Sequence, residues 1–139
     1  MLLDMKKLAP LMREVKTIAV IGAVDKPGRP VDTVGRALID MGFTVIPVHP
    51  KRRDVWGLTT YPSVTDIPVP VDLVDVFRAP QFCPDHAREV LEMNPLPKVF
   101  WMQEGIASPE ARAILAESGV TVVEDRCTKV EFLAMGVRP

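Results

Sequence analysis

Five short apolar runs, separated by amphipathic segments, set the pattern of this chain. The runs show almost no alternation with polar residues, which is typical of parallel strands that are covered on both faces of a sheet. They predict strands at 17–22, 43–48, 72–77, 98–102 and 120–123. Only the stretch 51–70 interrupts the regular spacing; it is irregular, with one extended piece expected near 59–61.

The segments between these runs carry apolar residues at helical spacing. They predict helices at 4–14, 31–41, 84–93 and 108–118, and a short last helix that follows 124–129 and ends near Gly136. Asp4 is expected to cap the first helix, and Asp32 or Thr33 the second, which Gly42 ends. The alternation predicts a Rossmann-like, doubly wound α/β fold, in which helices cover both faces of a five-stranded parallel sheet. We expect one domain over 1–139.

Length and charge narrow the classes of function. A chain of 139 residues is the usual size of one domain, and its net charge of −1 argues against broad binding to nucleic acid or membranes. Any anion site must therefore be a local basic cluster. The segment 1–10 lacks the apolar stretch of a signal peptide, and no run is long enough to span a bilayer. With two cysteines, both expected to be free thiols, a cytoplasmic protein is predicted.

The loops that follow the predicted strands are the expected ligand site. In doubly wound sheets, ligands bind beyond the carboxyl ends of the strands, where the strand order reverses. The loops at 22–30, 49–53, 77–83 and 103–106 are rich in glycine, proline and positive charge. The second predicted helix begins directly after the first loop, so its free N–H groups and positive dipole end favour a phosphate there.

The same loops disfavour NAD as the nucleotide. The glycine spacing of a dinucleotide fingerprint is missing after Gly22. The second strand ends at His49, and no carboxylate that could grip a ribose follows it until Asp54. The basic run 51–53 favours a ligand with a phosphate on its ribose. NADP and coenzyme A both meet that condition.

Six segments of the chain carry a resemblance to a known family. They are AVIGAVDKPGR at 19–29, VIPVHPK at 45–51, YPSV at 61–64, VDVFRAP at 74–80, VFWMQEGI at 99–106 and DRCTK at 125–129. Together they resemble the small stand-alone coenzyme A-binding proteins, which are related to the coenzyme A-binding domain of the succinyl-CoA synthetase α subunit. The similarity covers about 16–133.

The resemblance implies a site for each part of coenzyme A. The backbone of Gly22, Ala23 and Val24 would cradle the pyrophosphate, which Lys26 and Arg29 would neutralise. The other implied ligand contacts are His49, Pro50 and Lys51 beside the adenosine and its 3′-phosphate, Phe77, Arg78 and Pro80 on the far wall, and Gln103, Gly105 and Ile106 along the pantetheine arm. The chain departs from the family at Val24, where serine is usual, and at His49, where asparagine is usual.

The leading interpretation is a protein that binds coenzyme A or acyl-CoA without catalysis of its own, as a sensor or carrier. The loops contain no nucleophile with a base, no carboxylate pair and no metal-ligand spacing. Two alternatives stay open. One is a thiol–disulfide exchange enzyme that acts on coenzyme A through Cys127, which lies among cations that would favour a reactive thiol. The other is an NADP-binding regulatory domain. Cys83, Trp56 and Trp101 are expected to be core residues.

Overall fold

The computed structural model describes residues 4–139, so the first three residues of the expected domain lie outside it. Its strands are β1 (Thr17–Ile21), β2 (Thr44–Val48), β3 (Leu73–Val76), β4 (Val99–Met102) and β5 (Thr121–Val123). Its α-helices are α1 (Met5–Met12), α2 (Pro30–Asp40), α3 (Cys83–Leu91), α4 (Pro109–Leu115) and α5 (Thr128–Met135). Every predicted strand and helix is present, with ends that differ by up to about three residues.

The strands form one parallel sheet in the order β2-β1-β3-β4-β5. Alternate residues of β1 face opposite sides: Ile18 and Val20 belong to one core cluster, and Ala19 and Ile21 to the other. The first cluster also takes residues of α1, α2 and α5, and the second takes residues of α3 and α4. The doubly wound, Rossmann-like fold is therefore confirmed, and its two buried faces explain why the strands have so few polar residues.

The order of the strands places the reversal at β1 and β3. The chain leaves β1 for β2 on one side and then returns across β1 to β3 on the other. Their carboxyl ends, and the loops that follow them, therefore flank the crevice in which sheets of this kind bind ligands.

The predicted cap of α2, Asp32 or Thr33, was wrong, although the start of the helix was predicted to within one residue. The helix begins at Pro30, and its N-cap residue, Arg29, makes no capping hydrogen bond through its side chain. Asp32 is buried, and its Oδ1 accepts the Trp56 Nε1–H and the Arg36 Nε–H, each at 2.9 Å. Because α2 begins two residues before Asp32, this carboxylate lies inside the first turn, and the N-cap position falls to Arg29, which leaves the helix without a side-chain cap.

The irregular connection from β2 to β3 folds back on the sheet. It contains two short 3₁₀ turns, Val55–Gly57 and Val64–Asp66, and Tyr61 pairs with Val48 as an isolated bridge. Trp56 is half-buried rather than fully buried, and its ring lies against the backbone of α2 at Gly35, where a Cβ would come within 2.2 Å of it. Trp101 is fully buried, as predicted.

Candidate functional site

Gly22 joins the ends of β1 and β3. Its φ is +84°, and a Cβ at this position would lie 2.6 Å from the backbone oxygen of Phe77. The same Cβ would lie 3.3 Å from Cδ of Arg78. Only glycine fits both the backbone conformation and the close approach of the β3 loop. The two loops therefore meet at the floor of the crevice.

The loop after Gly22 has unpaired backbone donors. The N–H groups of Gly22 and Ala23 both donate to Val48 O, at 3.0 and 3.3 Å, so they continue the ladder to β2. The N–H groups of Val24, Asp25 and Lys26 meet no backbone acceptor among the described residues. Three residues were expected to cradle a phosphate with their backbone, and of these only Val24 has an N–H group without a backbone acceptor among the described residues. Asp25 and Lys26, which follow it, each add another such N–H group.

The side chain of Val24 faces the protein, not the crevice. It packs against the core cluster shared with α2, and Ala23 beside it is fully buried. Any contact that this segment makes with a ligand would therefore come from its backbone. This placement limits the consequence of the missing serine at Val24 to one side-chain hydroxyl.

Cations surround the same loop. Lys26 and Arg29 are exposed and form no ion pair within 4–139. Arg52 reaches Asp25 at 3.4 Å, a long contact between half-exposed groups. Arg78 lies with its guanidinium carbon 4.1 Å from the centre of the Phe82 ring. The loop therefore carries more positive than negative charge, although the whole chain does not.

His49 organises the loop after β2. Its Nδ1 accepts the backbone N–H groups of Lys51 and Arg52 at 3.0 and 3.1 Å. An asparagine side chain can offer its oxygen to the backbone two residues on in the same way, so the histidine preserves the turn. Burial lowers the pKa of His49 first, and the charges of Arg52, Arg78 and Lys51 lower it further. The imidazole is therefore neutral at neutral pH.

A cleft of about 390 Å³ opens where these loops converge. We call it the carboxyl-edge cleft. It is lined by Ile21, Gly22, Val48, His49, Pro50, Lys51, Pro62, Phe77, Arg78 and His86. A second hollow of about 410 Å³ shares His49, Pro50, Lys51 and Pro62 and extends to Arg52 and Arg53. Volumes of this size are typical of small-molecule sites.

The structure brings six of the predicted ligand contacts into the carboxyl-edge cleft: Gly22, His49, Pro50, Lys51, Phe77 and Arg78. The sequence did not identify Pro62 or His86 as lining residues. His86 lies on α3 three residues before Glu89, and its Nδ1 is 2.6 Å from Glu89 Oε1. That spacing was visible in the sequence, but the position of α3 over the cleft depends on the tertiary fold.

The predicted contacts beyond β4 are tied to the protein itself. Gln103 is buried, and its Nε2 donates to Asp75 Oδ1 at 2.8 Å and to Thr128 Oγ1 at 2.7 Å. The N–H of Gly105 donates to Asp125 Oδ1 at 2.7 Å, and Ile106 packs against a core cluster. These residues, like the exposed Pro80, do not line the carboxyl-edge cleft.

The two cysteines are free and lie apart from the cleft's lining. Cys83 is buried, and burial raises the pKa of its thiol to about 11, which fits the inert core residue that was predicted. Cys127 is half-buried at the N-cap of α5. It lines a separate hollow of about 180 Å³ together with Glu104, Asp125 and Glu131, besides Arg126.

No helix within 4–139 is both long enough and apolar enough to cross a bilayer.

Comparison with known proteins identifies relatives across nearly the whole chain. Uncharacterized protein YneT of Bacillus subtilis is 37% identical over 124 residues, which cover 89% of this chain and 90% of YneT. The solved structure of cell-free ID.343 from Thermus thermophilus superposes with a TM-score of 0.88 at 38% identity, and covers 96% of this chain and 99% of that one.

A larger enzyme shares part of the sequence. The ADP-forming acetate–CoA ligase I of Archaeoglobus fulgidus is 36% identical over 74 residues, which are 53% of this chain but only 11% of the ligase. The sequence profile described as "CoA binding domain" matches residues 16–132, close to the span of the resemblance found from the motifs. By this match, and by its likeness to YneT over nine-tenths of both chains, the chain belongs to the CoA binding domain family.

Proposed function

We propose that this chain is a stand-alone, single-domain cytoplasmic protein that binds coenzyme A or acyl-CoA reversibly and performs no catalytic step of its own. The observation that carries the proposal is the coincidence, at the reversal of strand order, of unpaired backbone donors, unpaired cations and the carboxyl-edge cleft. Each of these features suits one part of coenzyme A.

The pyrophosphate is assigned to the loop between β1 and α2. Three consecutive N–H groups, from Val24 to Lys26, are free to donate to phosphate oxygens, and the uncapped start of α2 adds its positive dipole end. Lys26 and Arg29 stand beside these donors without carboxylate partners within the described chain. An anion held here would gain charge-assisted hydrogen bonds, which are about twice as strong as neutral ones.

The adenosine and its 3′-phosphate are assigned to the carboxyl-edge cleft and the hollow next to it. The cleft offers apolar walls from Val48, Pro62 and Phe77. The adjoining hollow adds Lys51 and Arg53 at the end where a ribose phosphate would project. The pantetheine arm would then leave along the loop after β4, as the resemblance implies for Gln103, Gly105 and Ile106.

Binding without chemistry is supported by the side chains that line the cleft. Its ten lining residues include no serine, threonine, cysteine or carboxylate. Cys83, on the nearby helix, is buried with a pKa raised to about 11 and is a poor nucleophile. The thiol of Cys127 opens on a different hollow, where carboxylates outnumber cations.

The proposal is tested by isothermal titration with coenzyme A, with NADPH as the comparison ligand. We expect saturable one-site binding of coenzyme A and weaker binding of NADPH. The absence of heat with millimolar coenzyme A would refute the proposal, and tighter binding of NADPH would support the NADP-binding alternative instead. Turnover of a coenzyme A disulfide that is lost in Cys127→Ser would show that the protein is an enzyme.

Lys26→Ala and Arg29→Ala are each expected to weaken coenzyme A binding about two- to fivefold at low salt, the range for exposed charge pairs. The difference from the unmodified protein should nearly vanish at 1 M salt, where the Debye length is about 3 Å. Titrations at two salt concentrations measure the effect. Lys7→Ala, which removes an exposed cation from α1, is the matched control and should change neither affinity nor salt dependence.

A further inference from the structure

A chain of hydrogen bonds orients His86. Ser63 Oγ donates to Glu89 Oε2 at 2.6 Å, and it accepts the N–H of Thr65 at 3.2 Å. Glu89 Oε1 lies 2.6 Å from His86 Nδ1. Ser63 lies in the connection between β2 and β3, whereas Glu89 and His86 lie on α3. Two separate parts of the fold therefore fix one imidazole ring.

This arrangement determines which nitrogen of His86 carries hydrogen. A carboxylate has no hydrogen to donate, so the short contact requires the hydrogen on Nδ1. In the neutral ring, Nε2 then has a lone pair and no hydrogen. Nε2 has no hydrogen-bond partner within 4–139 and is not fully buried, and His86 lines the carboxyl-edge cleft. His86 thus offers the cleft an acceptor.

His49 has the opposite tautomer. Its Nδ1 accepts two backbone N–H groups and therefore carries no hydrogen, so the neutral ring has its hydrogen on Nε2. Burial and the three nearby cations lower the pKa of this imidazole and keep it neutral. Its Nε2 is also unpartnered within the described chain and not fully buried. His49 thus offers the cleft a donor.

The two histidines line one cleft with apolar walls. A planar heteroaromatic ring that enters between Pro50, Pro62 and Phe77 would share the cleft with this donor and this acceptor. Adenine has the complementary pair at one edge: the N6 amino group donates, and the ring nitrogen N7, which stays an acceptor in hypoxanthine, accepts. Hypoxanthine, which has an oxygen in place of the amino group, would set two lone pairs against each other at His86.

We propose that His86 and His49 select adenine in the carboxyl-edge cleft: His86 Nε2 accepts the exocyclic amino group, and His49 Nε2–H donates to the neighbouring ring nitrogen. Glu89 and Ser63 are positioning residues that hold His86 in the required tautomer. The inference rests on the proposed function, since it names the part of coenzyme A that the cleft recognises.

The experiment compares coenzyme A with its deaminated analogue, in which hypoxanthine replaces adenine and all phosphates and the pantetheine arm are unchanged. The calorimetric titrations are carried out at pH 8. We expect coenzyme A to bind about tenfold more tightly than the analogue, the cost of one misplaced hydrogen bond. Equal binding of the two ligands would overturn the inference and leave the proposed function intact; failure of both to bind would overturn both.

Two variants test the mechanism of selection. His86→Phe keeps a ring but removes the acceptor, so the affinity ratio should fall to within about twofold of one. Glu89→Gln can donate to Nδ1 and so permits the tautomer with hydrogen on Nε2, which should lower the ratio while leaving the imidazole in place. Glu92→Gln, the same change at an exposed position just after α3, is the control and should keep the full ratio. A ratio that stays high in both His86→Phe and Glu89→Gln would refute the assignment; thermal unfolding confirms that each variant is folded.

Discussion

Gly22→Ala is expected to lower the unfolding temperature by roughly 5–15 °C and to weaken coenzyme A binding by about tenfold or more. An alanine at φ +84° costs about 1–2 kcal/mol in backbone strain. Its Cβ would also lie 2.6 Å from the backbone oxygen of Phe77, a distance that real Cβ atoms do not show. That oxygen belongs to the main chain at the end of β3 and cannot rotate away. The loops after β1 and β3 must separate, and with them the walls of the carboxyl-edge cleft.

The control for this change is Gly119→Ala. Gly119 has a φ of +89°, but a Cβ there would have no atom within 4 Å. It precedes β5, away from the cleft, so it reports the cost of the backbone conformation alone. Differential scanning calorimetry and coenzyme A titration on both variants separate the two contributions. If Gly22→Ala unfolds at no lower a temperature than Gly119→Ala and binds normally, the contact with Phe77 has no role in the site.

The sheet could be predicted from the sequence because both of its faces are buried. The strands are then apolar runs with few polar residues, and Ile18 and Ala19, which face opposite sides, are both fully buried. Glycines indicated where the turns lie, and the alternation of apolar runs with amphipathic segments predicted the class of fold. The order β2-β1-β3-β4-β5, and with it the exact pair of loops beside the crevice, required the structure.

The capping of α2 shows where local rules failed. Asp32 had the residue type of a cap, but α2 begins two residues before it, and the Trp56 indole N–H, 24 residues farther along the chain, bonds its carboxylate. Tertiary packing overrode a local preference, as buried polar groups must find whatever partner the fold supplies. The missing cap bears on the proposed function, because no capping side chain at the start of α2 would compete with an anion.

The histidines show the same limit in the site. His49 was predicted beside the ligand from its position after β2, but its tautomer follows from two backbone contacts that the sequence does not display. His86 and Glu89 stand three residues apart on a predicted helix, which is a common surface pattern. Only the approach of Ser63 and the opening of the cleft at that point make the pair distinctive.

Asp75 is the one charged residue in the middle of the sheet. It is fully buried in β3, with its Oδ1 accepting from Gln103 Nε2 and its Oδ2 from Thr128 Oγ1, at 2.8 and 2.9 Å. No cation pairs with it among the described residues. Burial raises the pKa of this carboxyl to about 7 from 3.8, against the two hydrogen bonds, which favour the ionised form.

Asp75→Asn is expected to remove a pH dependence from the stability of the protein. Between about pH 4 and pH 7 the folded chain keeps the proton on Asp75, whereas the unfolded chain has lost it. The folded state therefore binds more protons in this interval, and the free energy of unfolding falls as the pH rises, by at most about 1.4 kcal/mol per pH unit. Well above pH 7, Asp75 is ionised in both the folded and the unfolded chain, and the free energy of unfolding has lost the whole contribution of this proton. Asparagine keeps the size of the side chain, can accept from Gln103 and can donate to Thr128, but it never ionises.

Urea unfolding of both proteins at pH 5, 6, 7 and 8 measures the difference. The variant should exceed the unmodified protein in stability most at pH 8, and the two should approach each other toward pH 5, because the cost of a buried, unpaired charge is present only where Asp75 is ionised. Asp40→Asn, the same change at an exposed position that faces water in both states, should give a flat difference. If the difference for Asp75→Asn is equally flat, the carboxyl is already ionised throughout this range, and the hydrogen bonds from Gln103 and Thr128 outweigh its burial.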